Sequence, residues 1–279
     1  METPETRVQL IQAESERLGQ YLHSLPPDAW SRTSACHRWA VRDVAGHLIL
    51  GAELYSSVVS RGLQKDVSPL EGFPEAGRVN AASASAFIDQ LSVARRENLG
   101  DRVLSTFNTT SDQLNRLLAG LGPREWETPC YHPAGLLAVR TFVDLRLTEL
   151  VMHGWDIRSR LEPEAPLWPA SLPAFLDVLA VAVGWAFWPG ARYATPVRYR
   201  FEMTGTVPTR RDIVVAGDQA RMEPVGAALA NVTGHCATET FVFLMYGRLT
   251  PQDAIADGRL TVDGEAEWVT AFAQWFRGV

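Results

Sequence analysis

The stretch Val139-Arg-Thr-Phe-Val-Asp-Leu-Arg-Leu-Thr-Glu-Leu-Val-Met-His-Gly-Trp-Asp-Ile157 decides how this chain is read. It is strongly helical in character, and Glu149 and His153 stand four residues apart within it. At helical pitch that spacing turns about 40° and rises about 6 Å, so both side chains share one face. His47 lies in an earlier helical segment, Val41-Arg-Asp-Val-Ala-Gly-His-Leu-Ile-Leu50. Two imidazoles and a carboxylate meeting inside a helix bundle would make a three-ligand divalent metal site with open positions, the usual layout of a catalytic centre.

Working outward, four amphipathic segments fill the first part of the chain. They run from Thr6 to His23, from Val41 to about Arg61, from about Ala84 to Leu121 and from about Leu136 to Arg160. A Gly- and Pro-rich loop, residues 62–77, separates the second from the third. This pattern predicts a four-helix bundle. A short repeat points the same way: Leu25-Pro-Pro-Asp-Ala-Trp30 resembles Leu121-Gly-Pro-Arg-Glu-Trp126. Each is followed by a Cys with a His nearby (Cys36 and His37, Cys130 and His132) and then by a helix with metal candidates. Two equivalent helix pairs would bring His47 toward Glu149 and His153.

Pro163 to Pro173 holds four prolines and reads as a linker. An apolar helix follows, Leu172 to Trp188. The period then changes to two in Val197-Arg-Tyr-Arg-Phe-Glu-Met203, a half-buried strand. Further strands are expected at 212–216, 220–224 and 259–262, with helices at 237–246 and 265–276. The expected fold class is α+β: a bundle over residues 1–165, then a linking helix and a small α+β domain over 166–279.

The 279 residues are 46% hydrophobic, enough for a large core, and the net charge of −6 comes with no Lys/Arg cluster. Nucleic-acid binding is therefore not expected, because phosphate contacts need concentrated positive charge. Cys36, Cys130 and Cys236 are odd in number and far apart, which favours a reducing cytoplasm over a disulfide framework. The N-terminus is polar, with no apolar signal region. Phe175 to Trp188 contains Asp177 and is too short to span a bilayer, so no membrane association is expected.

The donor set suits Zn²⁺, and also Fe²⁺, Ni²⁺ or Mn²⁺. Three nearby groups could tune the site: Asp43, one turn before His47, is placed to receive a ring N–H from it, Arg146, one turn before Glu149, to bind a substrate carboxylate, and Asp156 lies one turn after His153. The spacing by itself leaves blander readings open. A Glu and a His four apart also form weak pairs on exposed helices, Arg146 could serve a surface ion pair, and Asp156 could pair with Arg160. Cys36 and Cys130 read more readily as small buried apolar residues than as nucleophiles or ligands, and His37 and His132 as loop residues. No phosphate-binding glycine loop, Gly-x-Ser-x-Gly elbow or Cys-x-x-Cys pair is present.

Taken together, the residues resemble a known family. Cys36-His-Arg-Trp39-Ala-Val41-Arg-Asp43-Val-Ala-Gly-His47-Leu48 is similar to the second-helix motif of the DinB-like bundle proteins, in the branch named for mycothiol-dependent maleylpyruvate isomerase. Arg146-Leu-Thr-Glu149-Leu-Val-Met-His153-Gly-Trp-Asp156 resembles that branch's second motif, and residues 241–249 and 260–265 resemble its sterol-carrier-like C-terminal domain. The resemblance implies a metal, usually zinc, on His47, Glu149 and His153. It implies a low-molecular-weight thiol cosubstrate, mycothiol in actinobacteria, and a small electrophilic substrate that undergoes thiolate addition, transfer or exchange. It also implies an anion-binding basic residue in the C-terminal domain, for which Arg248 is the match, beside Arg146 in the bundle. A monomer or homodimer in the cytoplasm is expected. This chain departs from the family at His37-Arg38, often Pro-Gly, and at Ala40, often a capping Ser or Thr. The departures bear on substrate and reaction rather than on the metal. Two other readings stay open: a non-catalytic protein binding a lipid or other small molecule, with a vestigial metal site, and a zinc-dependent hydrolase.

Overall fold

A computed structural model describes residues 3–36, 39–77, 81–162, 164–190 and 195–276. His37 and Arg38 lie outside the described residues. The chain forms two units, Met1–Ser171 and Leu172–Val279.

The first unit is helical. Helix α1 (Pro4–Ser24) starts at Thr3, whose hydroxyl accepts the Thr6 N–H, and ends before Pro26. It buries Val8, Ile11, Leu18 and Leu22. Helix α2 (Val41–Leu63) buries Val44, Leu48 and Ile49 among others. Helices α3 (Ala81–Leu99), α4 (Val103–Ala119) and α5 (Val139–Arg158) follow. Helices α1, α4, α2 and α5 pack as a ring, each against the next, and α3 lies on α2 outside it. The third segment is thus not one helix as expected. Gly100 takes φ +54°, which an α-helix cannot continue, and a 3₁₀ turn at Gly100–Arg102 redirects the chain into α4. The consequence is an additional helix, α3, laid against the helix that carries His47.

The short repeat is structural. 3₁₀ turns at Pro27–Ser31 and Glu125–Glu127 follow α1 and α4. Thr33 then bridges Ala40, and β1 (Pro129–His132) pairs antiparallel with β2 (Gly135–Ala138). In each half the next helix begins with the same bond: Val41 N–H to Arg32 O, 2.9 Å, and Val139 N–H to Thr128 O, 3.1 Å. His132 therefore ends a strand rather than sitting in a loop, and Leu136 belongs to β2 rather than to the helix.

Residues 164–171 do not behave as a free linker. Ala165 and Leu167 are buried, and Trp168 lies under the guanidinium groups of Arg17 and Arg158, 5.1 and 4.6 Å from the ring centroid. Trp155 Nε1 donates to Ala165 O at 2.9 Å, and Ser171 donates to the buried Glu14. Apolar and charge-assisted contacts together hold this proline-rich segment on the bundle.

The second unit has helix α6 (Leu172–Ala186) and a five-stranded sheet. The strands are β3 (Val197–Thr204), β4 (Thr209–Ala216), β5 (Gln219–Pro224), β6 (Val232–Ala237) and β7 (Leu260–Gly264), in the order β5-β4-β3-β6-β7. Only the β3–β6 pairing is parallel. Strand β6 was not expected from the sequence. Its Gly234 breaks the apolar alternation because a Cβ there would come within 3.1 Å of the Phe201 ring and 3.2 Å of Leu260. Helices α7 (Thr238–Met245), α8 (Pro251–Ala256) and α9 (Ala266–Trp275) complete the unit, and α8 too was unforeseen. Phe201 packs on Phe241 and Phe272 in this core. Among the described residues, no helix is long and apolar enough to cross a membrane.

Candidate metal centre

Helices α2 and α5 are neighbours in the ring, and their facing sides carry His47, Glu149 and His153. His47 Nε2 lies 2.6 Å from Glu149 Oε2, and His153 Nε2 lies 3.4 Å from the same oxygen. The two imidazole centroids are 4.8 Å apart, nearly perpendicular, and Trp39 leans over both at 5.1 and 6.3 Å. The structure thus brings together all three residues singled out in the sequence.

The far nitrogen of each ring reveals its tautomer. His47 Nδ1 is 3.1 Å from Ser92 Oγ on α3, and Ser92 spends its single hydroxyl proton on Ile88 O at 2.7 Å. Ser92 must therefore accept, so His47 carries a proton on Nδ1 and Nε2 is the atom it turns toward Glu149. His153 Nδ1 is 2.9 Å from Asp156 Oδ2, and Asp156 is fully buried. An ionised carboxylate only accepts, so this ring also carries a proton on Nδ1. Two Nε2 atoms and one carboxylate oxygen converge with the outer nitrogens tied back, the arrangement that orients imidazoles for a cation.

The electrostatics agree. Burial alone would lift the Glu149 carboxyl, but the facing His47 and hydrogen bonds from both rings outweigh it and hold it well below the usual carboxylate range. Burial disfavours the His153 imidazolium, yet its bonds to Asp156, Cys36 and Glu149 hold it well above the ordinary histidine value. Protons fill the space between these groups, and a divalent cation fits the same donors.

Several neighbours differ from expectation. Asp43 does not support His47: its Oδ2 accepts the Ala40 N–H at 2.9 Å, closing the start of α2 where Ala40 offers no side-chain oxygen, and its Oδ1 accepts from Arg96 at 2.6 Å. Ser92 takes the supporting place, and nothing in the sequence pattern marks it. Asp156 does support His153, one turn away on its own helix, and of its two expected roles this is the one seen. Cys36 is not a buried apolar filler. It is half-buried, with Sγ 3.1 Å from Asp156 Oδ2 and 3.5 Å from His153 Nδ1. Cys130 is buried against Gly62 of α2, and burial pushes its thiol up to about 11.

Arg146 is only 1% exposed and turns into the bundle. Its Nη1 donates to Leu48 O at 2.9 Å and its Nη2 to Ser111 Oγ at 3.3 Å. Burial pulls its value down to about 10 against the favourable pull of Glu149. It fastens α5 to α2 at the residue beside His47, so it braces the site from within instead of presenting a fork to a substrate. Arg248 lies in the second unit, half-buried in the turn after α7, where its Nη1 donates to Tyr246 O at 3.0 Å.

Residues 11–158 match the family model described as the mycothiol maleylpyruvate isomerase N-terminal domain. Among solved structures, the chain is similar to mycothiol-dependent maleylpyruvate isomerase (TM-score 0.62, 13% identity, 95% of each chain covered). It is equally similar to a histidine-to-alanine mutant of that enzyme (TM-score 0.63, 13% identity, 95% of each chain covered). At that identity the likeness shows the fold. No curated protein matches the chain.

Proposed function

The chain belongs to the mycothiol maleylpyruvate isomerase N-terminal domain family, and on that premise we propose a metal-dependent enzyme that uses a low-molecular-weight thiol, mycothiol or a relative, on a small electrophile. The observation that carries this reading is the convergence of His47 Nε2 and His153 Nε2 on Glu149 Oε2 with both outer nitrogens tied back. His47, Glu149 and His153 hold the cation, zinc by preference for this donor set. When bound, the cation supplies Lewis acidity that favours thiolate over thiol in the cosubstrate.

The chain's own residues supply the rest. Ser92 and Asp156 fix the two imidazoles, Arg146 braces α5 on α2, and Trp39 shields the rings from bulk water. Arg248 is our candidate for contact with a substrate carboxylate. The reaction class is thiolate addition to a conjugated double bond, rotation about the resulting single bond and expulsion of the thiol, or transfer of the thiol to the electrophile. Isomerisation of a maleylpyruvate-like diacid is the special case. The working location is the cytoplasm.

The test is metal analysis of purified protein, with conjugated electrophiles assayed with and without added thiol. The expected result is one divalent ion per chain, turnover only with thiol, and loss of both metal and turnover in His153→Ala. Turnover without thiol would point to a hydrolase, and absence of metal would remove the proposal.

A further inference from the structure

A second donor set lies on the outer side of His153. Cys36 Sγ is 3.1 Å from Asp156 Oδ2 and 3.5 Å from His153 Nδ1, and that nitrogen is 2.9 Å from Asp156 Oδ2. A tetrahedral ion with metal–ligand bonds of about 2.0–2.3 Å spaces its donors roughly 3.3–3.6 Å apart, so these atoms already lie within about 0.5 Å of such a geometry.

The backbone prearranges the set. The Ala35 N–H donates to Asp156 O at 2.8 Å, which pins the loop before α2 onto α5. Ser34 Oγ accepts the Cys36 N–H at 3.1 Å and donates to Trp39 O at 2.9 Å. Cys36 is thereby held at the half-exposed edge while Asp156 is buried behind it. Thiolate and carboxylate together neutralise a divalent cation, whereas His47, Glu149 and His153 offer one negative charge. Sulfur also favours thiophilic ions such as zinc, cadmium or cobalt over magnesium or calcium.

We propose that Cys36, Asp156 and Nδ1 of His153 form a second cation site, selective for thiophilic divalent ions, that shares His153 with the first. A neutral imidazole has one lone pair. An ion seated here therefore turns that pair outward and withdraws His153 from His47 and Glu149. The two sites compete, and an ion that favours thiolate more strongly than zinc does, such as cadmium, draws His153 away from the first. This inference does not depend on the reaction proposed above.

Cobalt(II) titration of the metal-free, full-length chain tests it. His47→Ala keeps the outer donors and is expected to bind one equivalent with sulfur-to-cobalt charge-transfer absorption. The double variant His47→Ala, Cys36→Ser is expected to lose that absorption, and Cys36→Ser alone to bind cobalt without it. No sulfur absorption in a His47→Ala chain with wild-type circular dichroism would overturn the proposal, as would absorption that survives Cys36→Ser. Should His47→Ala fail to fold, the wild-type chain decides. Excess cadmium, the more thiophilic ion, is expected to slow alkylation of Cys36, read by peptide mass, and an unchanged alkylation rate overturns the proposal. Cobalt binding in His47→Ala but not in Cys36→Ser would keep this site and remove the inner one.

Discussion

Replacing Ser92 by Ala separates the support that the structure assigns to His47 from the support that sequence spacing suggests. His47 is only 12% exposed at its side chain, and its Nδ1–H has Ser92 Oγ as acceptor at 3.1 Å. Without that oxygen the ring either leaves a buried N–H unpaired, at about 1–3 kcal/mol, or gives up its orientation toward Glu149. Loss of such supporting partners typically weakens metal binding about 10- to 100-fold, or about 1.4–2.8 kcal/mol at 1.4 kcal/mol per decade. The two routes agree, so Ser92→Ala should raise the zinc dissociation constant by at least about tenfold. Asp43→Asn is the control. It removes the carboxylate that accepts from Ala40 and Arg96, and should cost about 1–2 kcal/mol of folding stability while zinc affinity stays unchanged. Chelator competition at fixed pH measures affinity, and denaturant unfolding of the metal-free chain measures stability. Equal weakening in both variants, or wild-type affinity in Ser92→Ala, would refute the assignment.

Three further outcomes are expected. Burial against Phe142 depresses His132 to about 4, below its unfolded value near 6.5. Between those values the unfolded chain binds the extra proton, so stability is complete above about pH 6.5 and falls as pH drops toward 4, by at most about 3 kcal/mol. His132→Gln should flatten that part of the stability curve in urea titrations, and an unchanged slope would contradict the cause. Gly62→Ala sets a Cβ 2.4 Å from Cys130 Sγ and 2.9 Å from Pro129 O. It should cost about 1–3 kcal/mol of stability, with only partial recovery on adding Cys130→Ala because the backbone oxygen remains. Arg146→Met leaves Leu48 O and Ser111 without their buried donors and should lower stability by about 2–4 kcal/mol. Unaltered stability with a raised KM would instead restore Arg146 to substrate binding.

What the sequence disclosed, and what it withheld, follows from the range of each interaction. Glu149 and His153 were legible because helical pitch places residues four apart on one face without reference to anything else. Asp156, three residues past His153, lay within the same local geometry and was legible beside it. His47 was legible from the motif at residues 36–48 and as the matching helix of a repeat, and that repeat is borne out by the paired 3₁₀ turns and bridges. Ser92 was not legible. Its contact spans 45 residues and exists because Gly100 breaks the third segment and lays α3 on α2. Strand β6 escaped for a related reason: Gly234 lacks a side chain to mark the alternation, and its role is to admit Phe201 and Leu260 from neighbouring strands.

Arg146 shows the deeper limit. Spacing assigned it correctly to the side of α5 that bears Glu149, but a shared face does not say whether the face looks outward or toward another helix. Leu48 and His47 are consecutive on α2, and Arg146 bonds the first while Glu149 meets the second. One face of α5 therefore carries both the ligand and the brace that sets its distance from α2. A buried guanidinium is costly unless hydrogen-bonded, and here a main-chain carbonyl and a hydroxyl supply the bonds. Both bonds depend on where α2 and α4 sit. The position of the arginine could be read from periodicity, but its function could be read only once the ring of helices had closed around it.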